Sequence, residues 1–542
     1  MSVHKIDEKS SSEGSTDFAP ELKTEPISLT EPTLRDYLIY ASVSRSNETK
    51  PSDAQIEVEH ARKTEHQREL DQARRALRTA TWVSVFFLIT TDILGPFNAP
   101  FAFSQVGYVP GAVLYVVMGG VACFTGLQLW KLFCRLDSHE FPVKTYGDLG
   151  ERIFGKEFKH FCTVLQSLQL IINVGVICLS NAQSLEQLAA NHQFCFSVSV
   201  LIWAIVGMCL GQVRSLQKYG FFANSAVWLN LLIIFTSMGF VAHSPPNFAA
   251  ALTSLGQSEG PVQTAKFVSL PLFDKVNGIM QMVFAYGGAM IFPEFLAEMR
   301  RPMDFWKGMI CAQLLICTAY LMYGLFVYSF QGQFTLPLAY QGVSKQSWQD
   351  VGNVFALITG IIAAGLYGNI GIKVAYYSII EDWFKGPALT SRTGRFIWTV
   401  MVFIYWSLAF VVGSAIPQVA SVSGVVAAIC IMQFSYTFPP LMMLGYKMKI
   451  AAAGLIAEDS LAIGDVIDAN TPSKDPGDTW MQWSRWKRGF FGGTWYYNLF
   501  NLILFLASLS MACLGMYGSG TAIKATFQLE GAATSFGCRS PV

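Results

Sequence analysis

From Ile397 to Tyr446 the chain carries not one Asp, Glu, Lys or Arg. A run of that length has no solvated face, so it cannot fold as a surface helix of a soluble domain. It holds two bilayer crossings of about 20 residues each, joined by a tight turn at Ser414 to Pro417. The remainder repeats the pattern: the 542 residues are 52% hydrophobic and 14% charged, against roughly 25% charged in an average soluble domain. The class is an all-α integral membrane protein with the lipid bilayer as its surroundings. Lys+Arg of 38 against Asp+Glu of 37 leaves no basic footprint, so no nucleic-acid partner is expected.

Hydropathy from Thr79 onward predicts eleven transmembrane helices, at 80–106, 109–133, 160–186, 195–213, 219–242, 276–299, 306–330, 351–379, 396–414, 418–445 and 495–517. The chain then divides into a cytosolic tail with a pre-membrane helix (1–78), a ten-helix core (79–445), a cytosolic loop (446–494), helix 11 (495–517) and an extracytoplasmic tail (518–542). Orientation follows from the bases, which cluster in alternate loops: Lys131, Arg135, Lys144, Arg152, Lys156 and Lys159 share one, while the loops between hold few. That bias puts the amino terminus in the cytosol and the carboxyl terminus outside. With no apolar h-region in about the first 75 residues, the first span is expected to act as its own insertion signal.

The tail to about residue 55 is rich in Ser, Thr, Glu and Pro and suits disorder. Within it LRDYLIYASVSR (34–45) is either a chance apolar cluster or a segment that docks on the bundle. TYGDLGERIFG (145–155) suits a short helix on the inner surface, WMQWSRWKRGFF (480–491) an interfacial anchor, and the outer loops 243–275 and 331–350 are long enough to form lids. The 11 cysteines have no metal-binding spacing, so no metal is expected. Cys195 and Cys538 fall on the same outer side, where a disulfide is allowed.

Two spans carry helix breakers at mid-membrane. In DILGPFNAP the helix is expected to open between Asp92 and Asn98, through Ile93, Leu94, Gly95 and Pro96, because proline lacks an N–H and glycine a side chain. In FAYGGAMIFPE it is expected to open at Phe284, Ala285, Tyr286, Gly287 and Gly288. Backbone groups freed in lipid must find partners in protein, water or a ligand. These breaks sit in the first member of each run of five spans, about 80–242 and 276–445. Five is odd, so the runs lie in opposite orientation, the arrangement of inverted-repeat transporters with a mid-membrane site. The N–H groups that open the second half of span 1 would attract a carboxylate, and the carbonyls that close the first half of span 6 an ammonium group. Together they suit the two ends of an α-amino acid. A proline kink filled by neighbouring side chains, or glycines serving only close packing, are the plainer readings of each break alone.

Three ionisable residues fall in the interior of spans, away from their ends: Asp92, Glu294 and Lys373. Each is costly there, so a role in coupling is the default, in the order Glu294, Lys373, Asp92. A salt bridge, or a lysine snorkelling to the inner face, is the structural alternative for Lys373. Gln166, Gln169, Asn173, Asn224, Asn230, Tyr367 and Asn369 either line a cavity or bridge helices, bridging being the commoner role. Phe97, Phe101, Phe284 and Tyr286 stand near the breaks as candidates for side-chain selectivity; without a charge opposite them, a neutral substrate is favoured.

The segments ILGPFNAPFAFSQVG (93–107), TYGDLGERIFG (145–155) and FAYGGAMIFPEFLAEMRRP (284–302) together resemble the amino acid/auxin permease family, most closely its fungal neutral amino acid permeases of the methyltryptophan-resistance type. The resemblance covers about 80–517. It implies eleven spans around a LeuT-like 5+5 inverted repeat, and amino acid transport, usually by proton symport with no cofactor beyond the proton. Where the family often has G-x-G at the first break, this chain has Ile93-Leu94-Gly95 followed by Pro96. Sodium-coupled relatives exist, but Lys373 in span 8 opposes a sodium ion there and favours protons.

The expectation is therefore a permease for neutral aliphatic and aromatic amino acids in the plasma membrane, with the vacuolar membrane as the alternative address. An amino acid sensor of the same fold is the competing function. Lys5, Lys9 and Lys23 in the serine-rich tail would serve either reading as sites for regulatory or ubiquitin machinery. An enzyme is disfavoured, since no intramembrane HExxH or GxSxG appears.

Overall fold

The computed structural model describes residues 32–48, 78, 80–93, 95–189, 195–214, 216–389, 391–455, 479–528 and 534–541. Among them the structure is helical, with two isolated bridges and no named strand. A helix satisfies its own backbone groups in lipid, which an open sheet does not. Among these residues nine helical segments are long and apolar enough to cross a membrane, and Trp82–Thr91 and Phe196–Leu210 are apolar but shorter. Outward faces carry exposed Trp228, Phe235, Leu314 and Phe396, a surface suited to lipid. This is a multi-pass membrane protein.

In chain order the first half comprises α1 (Leu34–Glu48), α2 (Trp82–Ile93), α3 (Ala99–Val106), α4 (Tyr108–Leu136), α5 (Tyr146–Phe154), α6 (Lys156–Leu188), α7 (Phe196–Leu210) and α8 (Leu216–Ala242). After a short α9 (Phe248–Leu255) come α10 (Leu272–Ala285), α11 (Phe292–Glu298), α12 (Phe305–Gln331), α13 (Gln346–Ala375), α14 (Arg392–Ala415), α15 (Val419–Val426) and α16 (Phe438–Ala452). Last are α17 (Trp483–Phe491), which carries exposed Trp483 and Trp486, and α18 (Trp495–Phe527), packed along α10, α15 and α16.

Local chemistry sets the punctuation. Gly107 divides α3 from α4 with φ of 95°, a value open to glycine, and a Cβ there would lie 2.7 Å from the Lys266 carbonyl oxygen. A capping box opens α5: the Thr145 hydroxyl accepts the Asp148 N–H and the Asp148 carboxylate accepts the Thr145 N–H. Between α15 and α16 the helix widens into π turns at Ala427–Ile431 and Gln433–Thr437. Pro439 and Pro440 follow directly and cannot donate to the preceding turn, which accounts for the irregularity.

Three expectations are refined here. The segment 34–45 lies within a helix that docks on α4: Tyr37 and Tyr40 each meet Phe141 edge-on with ring centroids 5.4 Å apart, and Leu38, Ala41 and Arg45 are buried. Cys195 and Cys538 are joined in a disulfide, and the tail crosses the bundle end, where the Phe536 N–H donates to Ser414 O and the Ser254 hydroxyl to Pro541 O. The last helix runs to Phe527 rather than 517, because Gly518 packs against Val276 and extends the contact with α10. The pre-membrane helix within 56–78, apart from Arg78, and the lysines at 5, 9 and 23 lie outside the described residues.

Candidate functional site

Both predicted breaks are present in the backbone. α2 ends at Ile93, a 3-10 turn spans Pro96–Asn98, and α3 begins at Ala99 with Pro100 in its first turn. α10 ends at Ala285; the Tyr286 N–H turns back to Val283 O and the Gly287 N–H to Phe284 O, each 3.2 Å. A turn and a 3-10 stretch, Ala289–Ile291, precede α11, with Pro293 near its start. In both cases proline opens the second half-helix, where an absent N–H costs no hydrogen bond.

The broken helices run antiparallel. The Ala80 N–H donates to Glu298 O and the Arg300 N–H to Ala80 O, each 2.9 Å, so the start of α2 meets the end of α11. α3 packs on α10, where a Cβ on Gly278 would lie 2.6 Å from Gln105 Cβ. At the middle, Asn98 Nδ2 donates to Gln281 O at 3.4 Å, and Ser423 donates to Gln281 Oε1 at 2.8 Å, tying α3, α10 and α15 together. The negative pole of α10 and the positive pole of α3 therefore face one region.

A cavity of ≈ 210 Å³ opens there. The first break contributes Gly95, Phe97 and Asn98, and the second Phe284, Ala285 and Gly287. A Cβ on Gly95 would meet nothing within 4 Å, which places open space beside that residue. The wall opposite is amide-rich, with Asn173, Ser180 and Asn181 on α6, Asn230 on α8, and Thr359 and Tyr367 on α13. None of the described lining residues is charged. The Gly95 N–H donates to the Tyr320 hydroxyl at 3.4 Å, so one amide freed by the break has a side-chain partner.

Other residues named from sequence fall elsewhere. Tyr286 does not line the cavity; its hydroxyl donates to Tyr115 O at 3.0 Å, inside an aromatic cluster with Tyr115 and Tyr320, and Gly119 leaves the room for that hydroxyl. Gly288 and Phe101 are also absent from the lining. Asn369 is buried and donates to Val213 O at 2.7 Å, a helix bridge rather than a cavity contact. Lys373 stands half-buried two residues before the end of α13, away from the cavity. Leu94 and the side chains of Asp92, Ile93 and Pro96 lie outside the described residues.

Glu294 sits in the first turn of α11 and is 3% exposed. Gln166 Nε2 donates to its Oε1 at 2.9 Å and to Met290 O at 3.0 Å, so one amide from α6 holds both the carboxyl and the irregular backbone before it.

Most of the lining was not singled out from sequence, Leu338, Tyr340, Tyr320 and Ile431 among it. Leu338 and Tyr340 reach the cavity from the loop 331–350, with Tyr340 edge-on to Phe97 at 5.1 Å and its hydroxyl 3.3 Å from Ser184 Oγ. The length of that loop was the only signal. Tyr320 and Ile431 are buried residues of long apolar spans, and nothing in their local sequence distinguishes them.

Relatives bear on the same region. A Neurospora crassa protein named N amino acid transport system protein is 25% identical over 371 residues, 66% of this chain and 74% of the relative. A Gibberella moniliformis transmembrane transporter is 23% identical over 392 residues, covering 70% and 78% respectively. Lysine histidine transporter-like 3 of Arabidopsis thaliana is 26% identical over 263 residues, 45% of this chain and 55% of that protein. The family described as transmembrane amino acid transporter protein matches residues 78–454, a stretch that contains both broken helices and the whole cavity lining, and the chain belongs to that family of amino acid transporters.

Proposed function

We propose that the chain imports neutral amino acids by proton symport, through alternating access of an eleven-span bundle with a LeuT-like 5+5 inverted repeat. The observation that carries the reading is a cavity between the two helix breaks whose described lining residues carry no charge. In it the amides that open α3 would receive the substrate carboxylate, and the carbonyls that close α10 its ammonium group. The volume is below the roughly 300–1,000 Å³ of drug-sized pockets, which suits one small solute. Phe97, Phe284 and Tyr340 would meet its side chain.

The span count is supported by nine long apolar helices together with the broken pair α2 and α3 and the shorter α7. The antiparallel course of the two broken helices is what an inverted repeat requires. In this reading 79–445 is the transport core, α18 lies outside the repeat, the basic loops face the cytosol of a cell bounded by the plasma membrane, and Glu294 carries the proton. Lys373 and Asp92 stand behind it, the former because it lies near the end of α13 and outside the cavity lining.

Side chains that carry charge should be rejected. A lysine or glutamate side chain would leave water without a counter-charge among the described lining residues, a cost larger than its contacts return. In liposomes containing the purified protein and an inward proton gradient, labelled leucine is expected to accumulate, with phenylalanine competing and lysine and glutamate not competing. Effective competition by lysine would overturn the assignment of substrate class; saturable binding without accumulation would identify a sensor.

Gly287→Val tests the site itself. A Cβ at Gly287 would lie 2.8 Å from Ile431 Cδ1 and 3.0 Å from Phe284 O. The added branches must displace one or other, closing the cavity floor. Leucine affinity is expected to fall about tenfold or more, since over-packing a tight site commonly costs about 1–3 kcal/mol. Unchanged half-saturation in the same uptake assay would remove Gly287 from the binding surface.

A further inference from the structure

We propose that a hydrated polar track along α6, centred on Gln169, connects the cavity to the Glu294 carboxyl and conducts the proton between them. The proposal rests on the reading of Glu294 as the proton-carrying group.

Gln166, Gln169 and Asn173 follow one another at i, i+3 and i+7, which places them on one face of α6. At 1.5 Å per residue they span roughly 10 Å along the axis. The two ends of this stripe are anchored independently: Gln166 Nε2 donates to Glu294 Oε1 and to Met290 O, and Asn173 lines the cavity. Gln169 lies between, fully buried, and neither its Nε2 nor its Oε1 has a hydrogen-bond partner among the described residues. Gln166 Oε1 and Asn173 Oδ1 are in the same condition. Four amide atoms without a protein partner thus run in a row from a carboxyl to a cavity.

Packing does not explain the row. Leu165 and Leu170 are buried on the same helix, so leucine fills the other buried positions of this stretch without difficulty. Buried polar groups left unmatched by protein are met by ordered water, which needs a polar site offering two to four partners. Gln169 offers two N–H donors and a carbonyl acceptor, while Gln166, whose N–H groups are spent on Met290 O and Glu294 Oε1, and Asn173 each add a carbonyl acceptor, so water can be oriented along the row. An amide does not itself titrate, and the proton must therefore travel on the water. A hydronium in the cavity gives up one O–H proton to the first water of the track, each water passes one on, and the last O–H bond forms on the Glu294 carboxylate, leaving a neutral acid and restoring neutral water behind it. Release on the cytosolic side returns the carboxylate.

The test uses the full-length protein in liposomes, with Gln169→Leu, Gln169→Met, Gln169→Asn and Glu294→Gln measured together. Equilibrium binding of labelled leucine and exchange against internal leucine report the cavity; accumulation under an inward proton gradient reports the coupling. Gln169→Leu and Gln169→Met are expected to bind and exchange leucine within about twofold of the parent while accumulating it about tenfold or more slowly, the lower end of what positioned proton transfer contributes. Gln169→Asn keeps an amide and the space for water and is expected to retain at least about half of the parent rate. A purely structural role would move binding, exchange and accumulation together. Accumulation by Gln169→Leu and Gln169→Met at the parent rate while Glu294→Gln fails overturns the track and leaves the role of Glu294 standing. Parental accumulation by Glu294→Gln overturns that role and the track with it.

Discussion

Glu294→Gln is expected to leave amino acid exchange intact and to abolish proton-driven accumulation. The substitution preserves shape and keeps an acceptor oxygen for Gln166 Nε2, now 2.9 Å from Glu294 Oε1, while fixing the group in a neutral form. If loading and release of one proton at this carboxyl set the direction of net flux, a permanently neutral side chain resembles the loaded carrier and can still shuttle substrate across. Under one-to-one coupling each pH unit of imposed gradient is worth about 1.4 kcal/mol, a tenfold concentration ratio at the limit. The parent should therefore approach about a hundredfold leucine ratio under an inward gradient of about two units, and the variant about one. Counterflow should proceed at comparable rates in both. A variant that concentrates leucine like the parent would move the coupling to another group and leave Glu294 as a helix tie.

Much of this site was legible because proline and glycine act locally. Gly95, Pro96 and Pro100, and Gly287, Gly288 and Pro293, each remove a donor or a side chain at a known place, so the interruption of α2/α3 and α10/α11 follows from the chain alone. Which side chains then face the cavity is settled by packing between distant elements. Tyr286 stands in the break yet turns away, because Gly119 on α4 and the Tyr115 carbonyl receive its hydroxyl. Tyr340 joins the cavity from a loop whose course depends on Phe97 and Ser184. Asn173 and Asn369 look alike in sequence, but one lines the cavity and the other is consumed by Val213 O. The docked α1 was equally open from sequence, since its apolar cluster is modest and its anchor is an arginine paired across 92 residues.

That anchor supplies the largest expected effect on stability. Asp137 is fully buried and receives Arg45 Nη2, Arg78 Nη2 at 2.7 Å and the Val143 N–H at 3.0 Å. It therefore joins α1, the approach to α2, the end of α4 and the following loop. Asp137→Ala takes the shared carboxylate from two guanidinium groups, of which Arg45 is 1% exposed, and sets their like charges against each other. Removing one partner of a buried pair costs roughly 3–5 kcal/mol, most of it the burden of the charge left behind. Thermal melting of the purified full-length protein should fall by several degrees, with α1 becoming the first segment open to proteolysis. His139 sharpens the test: burial first, then the Arg78 guanidinium, holds its imidazole below the ordinary range, while Asp137 opposes them. A depressed histidine contributes stability that is complete above its ordinary range and lost as pH falls through the folded value, so the Ala variant should be the more acid-sensitive protein. Replacing Arg45 and Asp137 together by leucine should recover part of the loss, since apolar substitution of a buried pair is often tolerated. Equal melting of parent and Asp137→Ala at neutral and mildly acid pH would show that the tail helix is held by its aromatic contacts with Phe141 and not by the ion pair.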